Sequence, residues 1–275
     1  WRMRGWVPVP PAVCLAADGE ILGQPSSIMA FTGGVTKPSD SAGRLSGLGT
    51  FLGPRWRPGL GDQFIDNLVR IHAFDWSSAH LPSFSAPDAD PQQAARCQTN
   101  WWTRAWYDDL VAPVPAMAAA KNWLEANLPA ARELVLDHAD YRTGNYLFDE
   151  MSGQVTAILD WELAHIGDYH EDLAWVVARL FGAFDDGHFL ASGLMSRDEF
   201  LERYSRSSGR IVDPRTLHFY EVLTAYKCMD ICLASGSLAA QQARNHQDVL
   251  LSFLATAGHI FHRELCALLE KDVRA

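Results

Sequence analysis

The most chemically informative stretch of the sequence begins at His138-Ala139-Asp140, places Asn145 five residues after Asp140, and reaches Asp160 in the run Ile158-Leu159-Asp160-Trp161-Glu162. A carboxylate, an amide and a second carboxylate in that order are the groups that phosphoryl transfer from ATP requires. One carboxylate orients the attacking hydroxyl and accepts its proton, while oxygen ligands hold the magnesium that bridges the phosphates. Magnesium prefers hard oxygen donors and is usually held by one or two carboxylates plus phosphates and water. Asp140 is therefore the candidate base, with Asn145 and Asp160 the candidate metal ligands. Asp and Asn also favour loops for purely local hydrogen-bonding reasons, so no single residue carries the assignment. The joint pattern does: H-x-D-x-x-x-x-N, a hairpin, then I-L-D-W-E. A different set, His138, Asp140 and Asp160 with His165 or His170, would suit zinc or manganese in a metallohydrolase. That reading leaves Asn145 and the hairpin without a role.

The elements that must hold these groups are legible around them. Residues 133–136 (ELVL) read as a short strand leading into the polar loop. YLFD and QVTAILDW are β-like runs separated by Glu150-Met151-Ser152-Gly153, which makes a hairpin. Such a hairpin returns the chain beside the loop and delivers Asp160 at its end. Upstream, SSIMAFT (26–32) followed by Gly33-Gly34 reads as strand and turn, and 36–61 as a connection. A helix is expected from Asp62 as N-cap, with Phe64, Leu68 and Ile71 on one face. Another helix follows from WWTRAWYDDL, and Pro115 suits the first turn of a third reaching about Leu128. Asp168-Tyr169-His170-Glu171 has capping-box spacing. Everything from Glu171 onward reads as helix, most clearly 248–269, where Leu250, Leu254, Ala257, Phe261, Leu265 and Leu268 step by three and four. The fold class expected is α+β, dominated by helix.

Composition narrows the function. The chain of 275 residues has 33 acidic against 23 basic side chains and a formal charge of −10, which argues against a nucleic-acid partner. No uncharged apolar run reaches the roughly 18 residues of a membrane span, and Pro8, Pro10 and Pro11 interrupt the segment that otherwise looks like a signal peptide. The five cysteines include no C-x-x-C pair. Cys228 and Cys232 read as core thiols, and a reducing cytoplasm fits.

The segment LVLDHADYRTGNYLFDEMSGQVTAILDWELAHIGDYHEDLAW resembles the core of the aminoglycoside phosphotransferase and choline kinase family. It is especially similar to the kinase-like domains associated with acyl-CoA dehydrogenases. VPVPPAVCLAAD and GQPSSIMAF resemble the last strands and hinge of the family's N-lobe, and FIDNLVRIHAFDW the helix that follows. The resemblance implies a protein-kinase-like fold, with residues 1–35 a remnant of the N-lobe and 36–275 the helical C-lobe. It implies an ATP- and magnesium-dependent kinase acting on a hydroxyl of a small molecule: an aminoglycoside-like, choline-like or hydroxyacyl compound. Asp140 would be the catalytic base, Asn145 and Asp160 would hold magnesium, and His138 would brace the loop. Arg142 would meet the transferred phosphate, Met29, Ala30 and Phe31 would face adenine, and Asp172 would buttress the loop. Trp101, Trp102, Trp106, Tyr220, Tyr226 and Lys227 would lie on the substrate side, most of these aromatics in the core.

Two departures stand out. Ala139 occupies a position where the family usually has Gly, which is harmless unless the backbone there needs a positive φ. The family also has a glycine-rich turn and a strand lysine ahead of the hinge. Here 28 residues precede Met29, and the four lysines, Lys37, Lys121, Lys227 and Lys271, all follow it. With Trp1 at its start, the chain reads as a fragment expected to be weak or inactive alone, and a non-catalytic kinase-like binding module is the alternative.

Overall fold

The structure is a computed structural model, and it describes residues 2–20, 23–41, 50–110, 112–242 and 254–273. The chain forms two compact units. The first comprises Trp1–Ser83, Val135–His165 and Phe181–Ile211, the second Phe84–Leu134, Ile166–Leu180 and Val212–Ala275.

In the first unit, strands β1 (Ala12–Ala16) and β2 (Ser26–Met29) pair antiparallel. Helix α1 spans Arg57–His72 and buries Leu60, Phe64, Leu68 and Ile71 along one stripe. It begins five residues before the expected Asp62. Pro58 lies in its first turn, where a missing N–H has no cost and the fixed φ suits a helix, so the Pro/Gly-rich lead-in is helix rather than connection. Strand β3 (Val135–Asp137) is wholly buried and carries the chain into the polar loop. Strands β4 (Tyr146–Phe148) and β5 (Val155–Ile158) form the expected hairpin, with Tyr146 opposite Ile158. The short strand β6 (His165–Gly167) begins at the last residue of this segment and continues into the second unit.

The expectation of unbroken helix after Glu171 fails here. Strands β7 (Ala183–Asp185) and β8 (His188–Leu190) make a second hairpin. Asp186 and Gly187 turn it, with φ of 46° and 79°. Two positive φ values in a two-residue loop are what the twist of a hairpin favours, and Asp-Gly supplies them readily. Helix α5 (Arg197–Ser208) then starts on Ser196, whose side chain accepts from the Glu199 N–H, and stops at Gly209 in the left-handed region.

The second unit is helical. It contains α2 (Gln93–Asp109), α3 (Pro115–Ala126), α4 (His170–Val177), α6 (Pro214–Met229), α7 (Gly236–Gln242) and α8 (Gly258–Val273). Helix α6 packs against α3, α4 and α8, and from Leu217 to Met229 almost every side chain is buried. A helix buried on nearly every face belongs in a core, and its polar side chains need partners there. Asp213 caps it, accepting from the N–H groups of Arg215 and Thr216. Of the helix expected over 248–269, Leu250 lies outside the described residues, and Phe261, Leu265 and Leu268 are buried on α8. Cys228 and Cys232 are buried thiols, as expected of core residues. Among the described residues no helix is long and apolar enough to cross a membrane.

The expected capping box is not made. Asp168 accepts from the His170 N–H, but Glu171 turns away to bind Lys227 at 2.7 Å, both side chains 1% exposed. The ammonium lies 5.1 Å from the Trp102 ring and 4.9 Å from that of Trp175, so two indole faces add to the attraction of the carboxylate. Lys227, with Trp102, Trp106, Tyr220 and Tyr226, is thus core. Trp101 is exposed. Removing one member of a buried pair strands the other charge. Lys227→Met is therefore expected to cost about 3–5 kcal/mol in urea unfolding, with much of it recovered in Lys227→Met/Glu171→Leu.

Between α6 and α7 the chain runs as a π-helix over Asp230–Ser235. Asp230 is 1% exposed, and neither of its carboxylate oxygens has a hydrogen-bond partner. Burial, with Asp109 adding to it, pushes this carboxyl up to about 7. A carboxyl raised in the folded state stabilises fully below the ordinary carboxylate range and loses that contribution as pH rises through about 7. The unfolding midpoint should fall between about pH 4 and 8, and less steeply in Asp230→Asn than in the parent.

Candidate active site

The polar loop is held at almost every residue by a named bond. His138 is fully buried. Its Nδ1 accepts from the Asp140 N–H at 3.3 Å, and its Nε2 lies 3.0 Å from the Leu159 carbonyl. Both contacts are met by one neutral tautomer, protonated on Nε2. The imidazole therefore links the loop to the end of the hairpin, with the Trp161 ring 4.5 Å away. Tyr141 donates its hydroxyl to the Phe64 carbonyl on α1 at 2.8 Å. Thr143 donates to the Ser192 carbonyl at 2.8 Å, also in a buried setting.

The candidate base sits inside this frame. The Asn145 amide nitrogen donates to the Asp140 backbone carbonyl at 2.9 Å and to its carboxylate at 2.5 Å. Arg142 donates Nε–H to the other carboxylate oxygen at 2.9 Å. Asp140 is thus oriented from both sides. The Leu159 N–H donates to the Asn145 carbonyl at 2.7 Å, which brings Asp160 up beside Asn145. Asp160 is exposed, with φ at 66°. Strained backbone of this kind persists where surrounding bonds over-determine it, and it clusters at functional positions. The Asn145 amide directs its nitrogen at Asp140, leaving an oxygen to offer a cation. With the Asp160 carboxylate this is the hard oxygen donor set that suits magnesium.

The structure accordingly brings His138, Asp140, Arg142 and Asn145 together, with Asp160 joined through the Leu159 bond. The zinc-type alternative loses support. Both His138 ring nitrogens face backbone partners, and those of His170 face the Asp168 carboxylate and the Asp213 N–H.

The proposed adenine edge is different in kind. Met29 and Phe31 are exposed, and the Ala30 N–H donates to the Pro11 carbonyl at 2.8 Å. The segment after it is pinned to the β4–β5 hairpin. Thr156 donates to the Gly33 carbonyl at 2.7 Å, and Val35 bridges Phe148. Gly34 permits this approach, because a Cβ there would come within 2.7 Å of the Thr156 hydroxyl.

Several supporting groups gave no sequence signal, among them Thr143, Tyr141 and the buried Asp137. The last has His72 Nε2 3.7 Å from one oxygen and His165 Nε2 3.9 Å from the other. Their partners lie 21 to 77 positions away in sequence for the bonds of His138, Thr143 and Tyr141.

A profile of the phosphotransferase enzyme family matches residues 2–220. The chain belongs to this family. Curated relatives of this phosphotransferase-family chain include acyl-CoA dehydrogenase family member 10 of Mus musculus, 29% identical over 212 residues, 74% of this chain and 19% of that protein. Acyl-CoA dehydrogenase family member 11 of Homo sapiens is 26% identical over 238 residues, 82% of this chain and 28% of that protein. The chain thus spans less than a third of either relative. A crystal structure assigned as an aminoglycoside phosphotransferase from Ralstonia eutropha has a TM-score of 0.74 at 22% identity, covering 98% of this chain and 80% of that one. A macrolide 2'-phosphotransferase type I gives 0.58 at 19% identity, covering 94% and 75%. These neighbours establish the aminoglycoside-phosphotransferase-like, protein-kinase-like fold.

Ala139 has a φ of 63°, so the loop does need the left-handed conformation where this chain carries a methyl. Ala139→Gly is expected to raise stability by about 0.5–1 kcal/mol, read by thermal or urea unfolding.

Proposed function

We propose that this chain is the catalytic part of an ATP- and magnesium-dependent kinase that phosphorylates a hydroxyl of a small molecule. The observation that carries the reading is the closure of Asp140 by Asn145, at 2.9 Å to its carbonyl and 2.5 Å to its carboxylate, beside the Asp160 corner. Family membership supports transfer of a phosphoryl group. The acceptor hydroxyl would lie against the Asp140 carboxylate. Its oxygen forms a bond to the γ-phosphorus as the bond to the β–γ bridging oxygen breaks. The hydroxyl proton passes to Asp140, and ADP leaves with the electron pair of the broken bond. Asn145 and Asp160 would hold magnesium, which neutralises charge on the phosphate oxygens when bound. Arg142, already at the site, would move from Asp140 to the transferred phosphoryl group, where a guanidinium matches phosphate geometry. Residues 1–35 would supply the hinge side, with adenine against Met29–Phe31. Since the Ala30 N–H is donated to Pro11, the Ala30 carbonyl and the Phe31 N–H are the backbone groups that would meet the base.

The lineage shared with acyl-CoA dehydrogenase family members supports a hydroxyacyl acceptor. The fold neighbours include a complex of a phosphotransferase with GDP and kanamycin, TM-score 0.56 at 17% identity, covering 93% of this chain and 79% of that one. An ATP-consumption screen of the full-length protein across hydroxyacyl compounds, amino alcohols and aminoglycosides separates these classes. Asp140→Asn is expected to lower kcat about a hundred- to ten-thousandfold, as loss of a general base does. Asn145→Ala should raise the magnesium concentration needed for half-maximal rate. Unchanged turnover in Asp140→Asn would remove Asp140 from the mechanism.

A further inference from the structure

Arg142 must be kept in place if it is to meet the transferred phosphoryl group. Its guanidinium carbon lies 5.5 Å from the centroid of the Phe181 ring, and its Nε donates to Asp140 at 2.9 Å. Arg142 and Asp140 are only 18% and 14% exposed at the side chain, and Phe181 is buried. A guanidinium in an ion pair can still tilt about its bond to the carboxylate. A flat aromatic face beneath the group fixes its plane as well, and an attraction to the ring quadrupole persists whichever anion the guanidinium is facing.

The ring is carried on a braced segment. Four residues after Phe181, Asp185 pairs with Arg57 on α1 at 2.8 Å. At its far end Ala191 bridges Met195, and the fully buried Ser192 accepts the Thr143 hydroxyl through its carbonyl. Gly193, with φ at 72°, lies so close to Thr50 that a Cβ would run into the Thr50 carbonyl oxygen. Consecutive residues of the catalytic loop, Arg142 and Thr143, are therefore gripped by the two ends of one segment, 181–192.

We infer that Phe181 is a positioning residue for phosphoryl transfer. Its ring holds the Arg142 guanidinium in register as that group exchanges the Asp140 carboxylate for the transferred phosphoryl oxygens. The inference rests on the phosphotransferase reading and adds a residue that touches neither nucleotide nor acceptor. Its chemistry requires an aromatic face rather than apolar volume. Phe181→Leu keeps most of the volume and loses the face, whereas Phe181→Tyr and Phe181→Trp keep the face.

The test is a double-mutant cycle on the purified full-length protein with an acceptor from the screen, using Phe181→Leu, Arg142→Met and the pair. Phe181→Leu should lower kcat about five- to thirtyfold with the acceptor KM within about twofold. Phe181→Tyr or Phe181→Trp should restore most of the rate. In the Arg142→Met background the Phe181→Leu change should have almost no further effect on kcat. Additive losses, or a Leu variant as fast as the parent, would overturn the inference while leaving Asp140 in its role. If Phe181→Leu alone proves too unstable to assay, the aromatic pair decides: a Tyr or Trp variant that folds with the parent's unfolding midpoint yet has the kcat of Arg142→Met refutes the positioning role. Full-length wild-type protein that consumes no ATP with any acceptor class would sink the phosphotransferase reading, and this inference with it.

Discussion

Backbone outside regular helices and strands holds a shape only when its polar groups are bonded to something, and the stretch from His138 to Asn145 is loop closed by one 3-10 turn, Thr143–Asn145. Its solution is to bond back on itself and outward at once. Asn145 closes the loop on Asp140, His138 ties it to the hairpin end, and Tyr141 and Thr143 anchor it to α1 and to Ser192. The rest of the first unit can be understood as what those four anchors require. Helix α1 must present the Phe64 carbonyl, the β4–β5 hairpin must return at Leu159, and the segment after Phe181 must place a carbonyl beside Thr143. The backbone strain at Ala139 and Asp160 is sustained by this same set of bonds.

The candidate groups are readable from sequence because they sit close together along the chain. Asp140 and Asn145 share one loop, and a turn between YLFD and QVTAILDW shows how Asp160 returns. The β4–β5 hairpin, the helix opened by Pro115 and the inward face of Phe64, Leu68 and Ile71 follow from period and punctuation, which are local signals. What escaped depends on distance in sequence. Nothing near Glu171 reveals that Lys227 will draw it out of a capping box. Nothing near Arg142 points to Phe181. The β7–β8 hairpin is a different case, since Asp186-Gly187 is a local turn signal, outweighed by the helical pattern on either side. The departure at Ala139 was visible as a residue choice, but only φ shows that the methyl sits in left-handed backbone.

The second unit answers a different physical demand. Helix α6 is buried along most of its length, so any charge on it must be matched internally. Lys227 meets that demand with Glu171 and two indole rings. Asp230, one turn further on, meets it by a carboxyl that holds its proton into the neutral range. The two residues are three positions apart and show the two ways a buried ionisable group survives: by acquiring an opposite charge or by giving up its own.

The β1–β2 ribbon has one further property. Val13, Leu15, Ile28, Met29 and Phe31 all project into solvent, Phe31 at 96% exposure, and among the described residues the ribbon has only two strands. Such a ribbon offers open backbone donors and acceptors beside greasy side chains, which is the combination that lets strands from separate molecules zip together. Adhesion between molecules is therefore expected at these side chains. The acidic surface elsewhere, through its mutual repulsion, is what opposes their stickiness, and dissolved salt weakens that opposition.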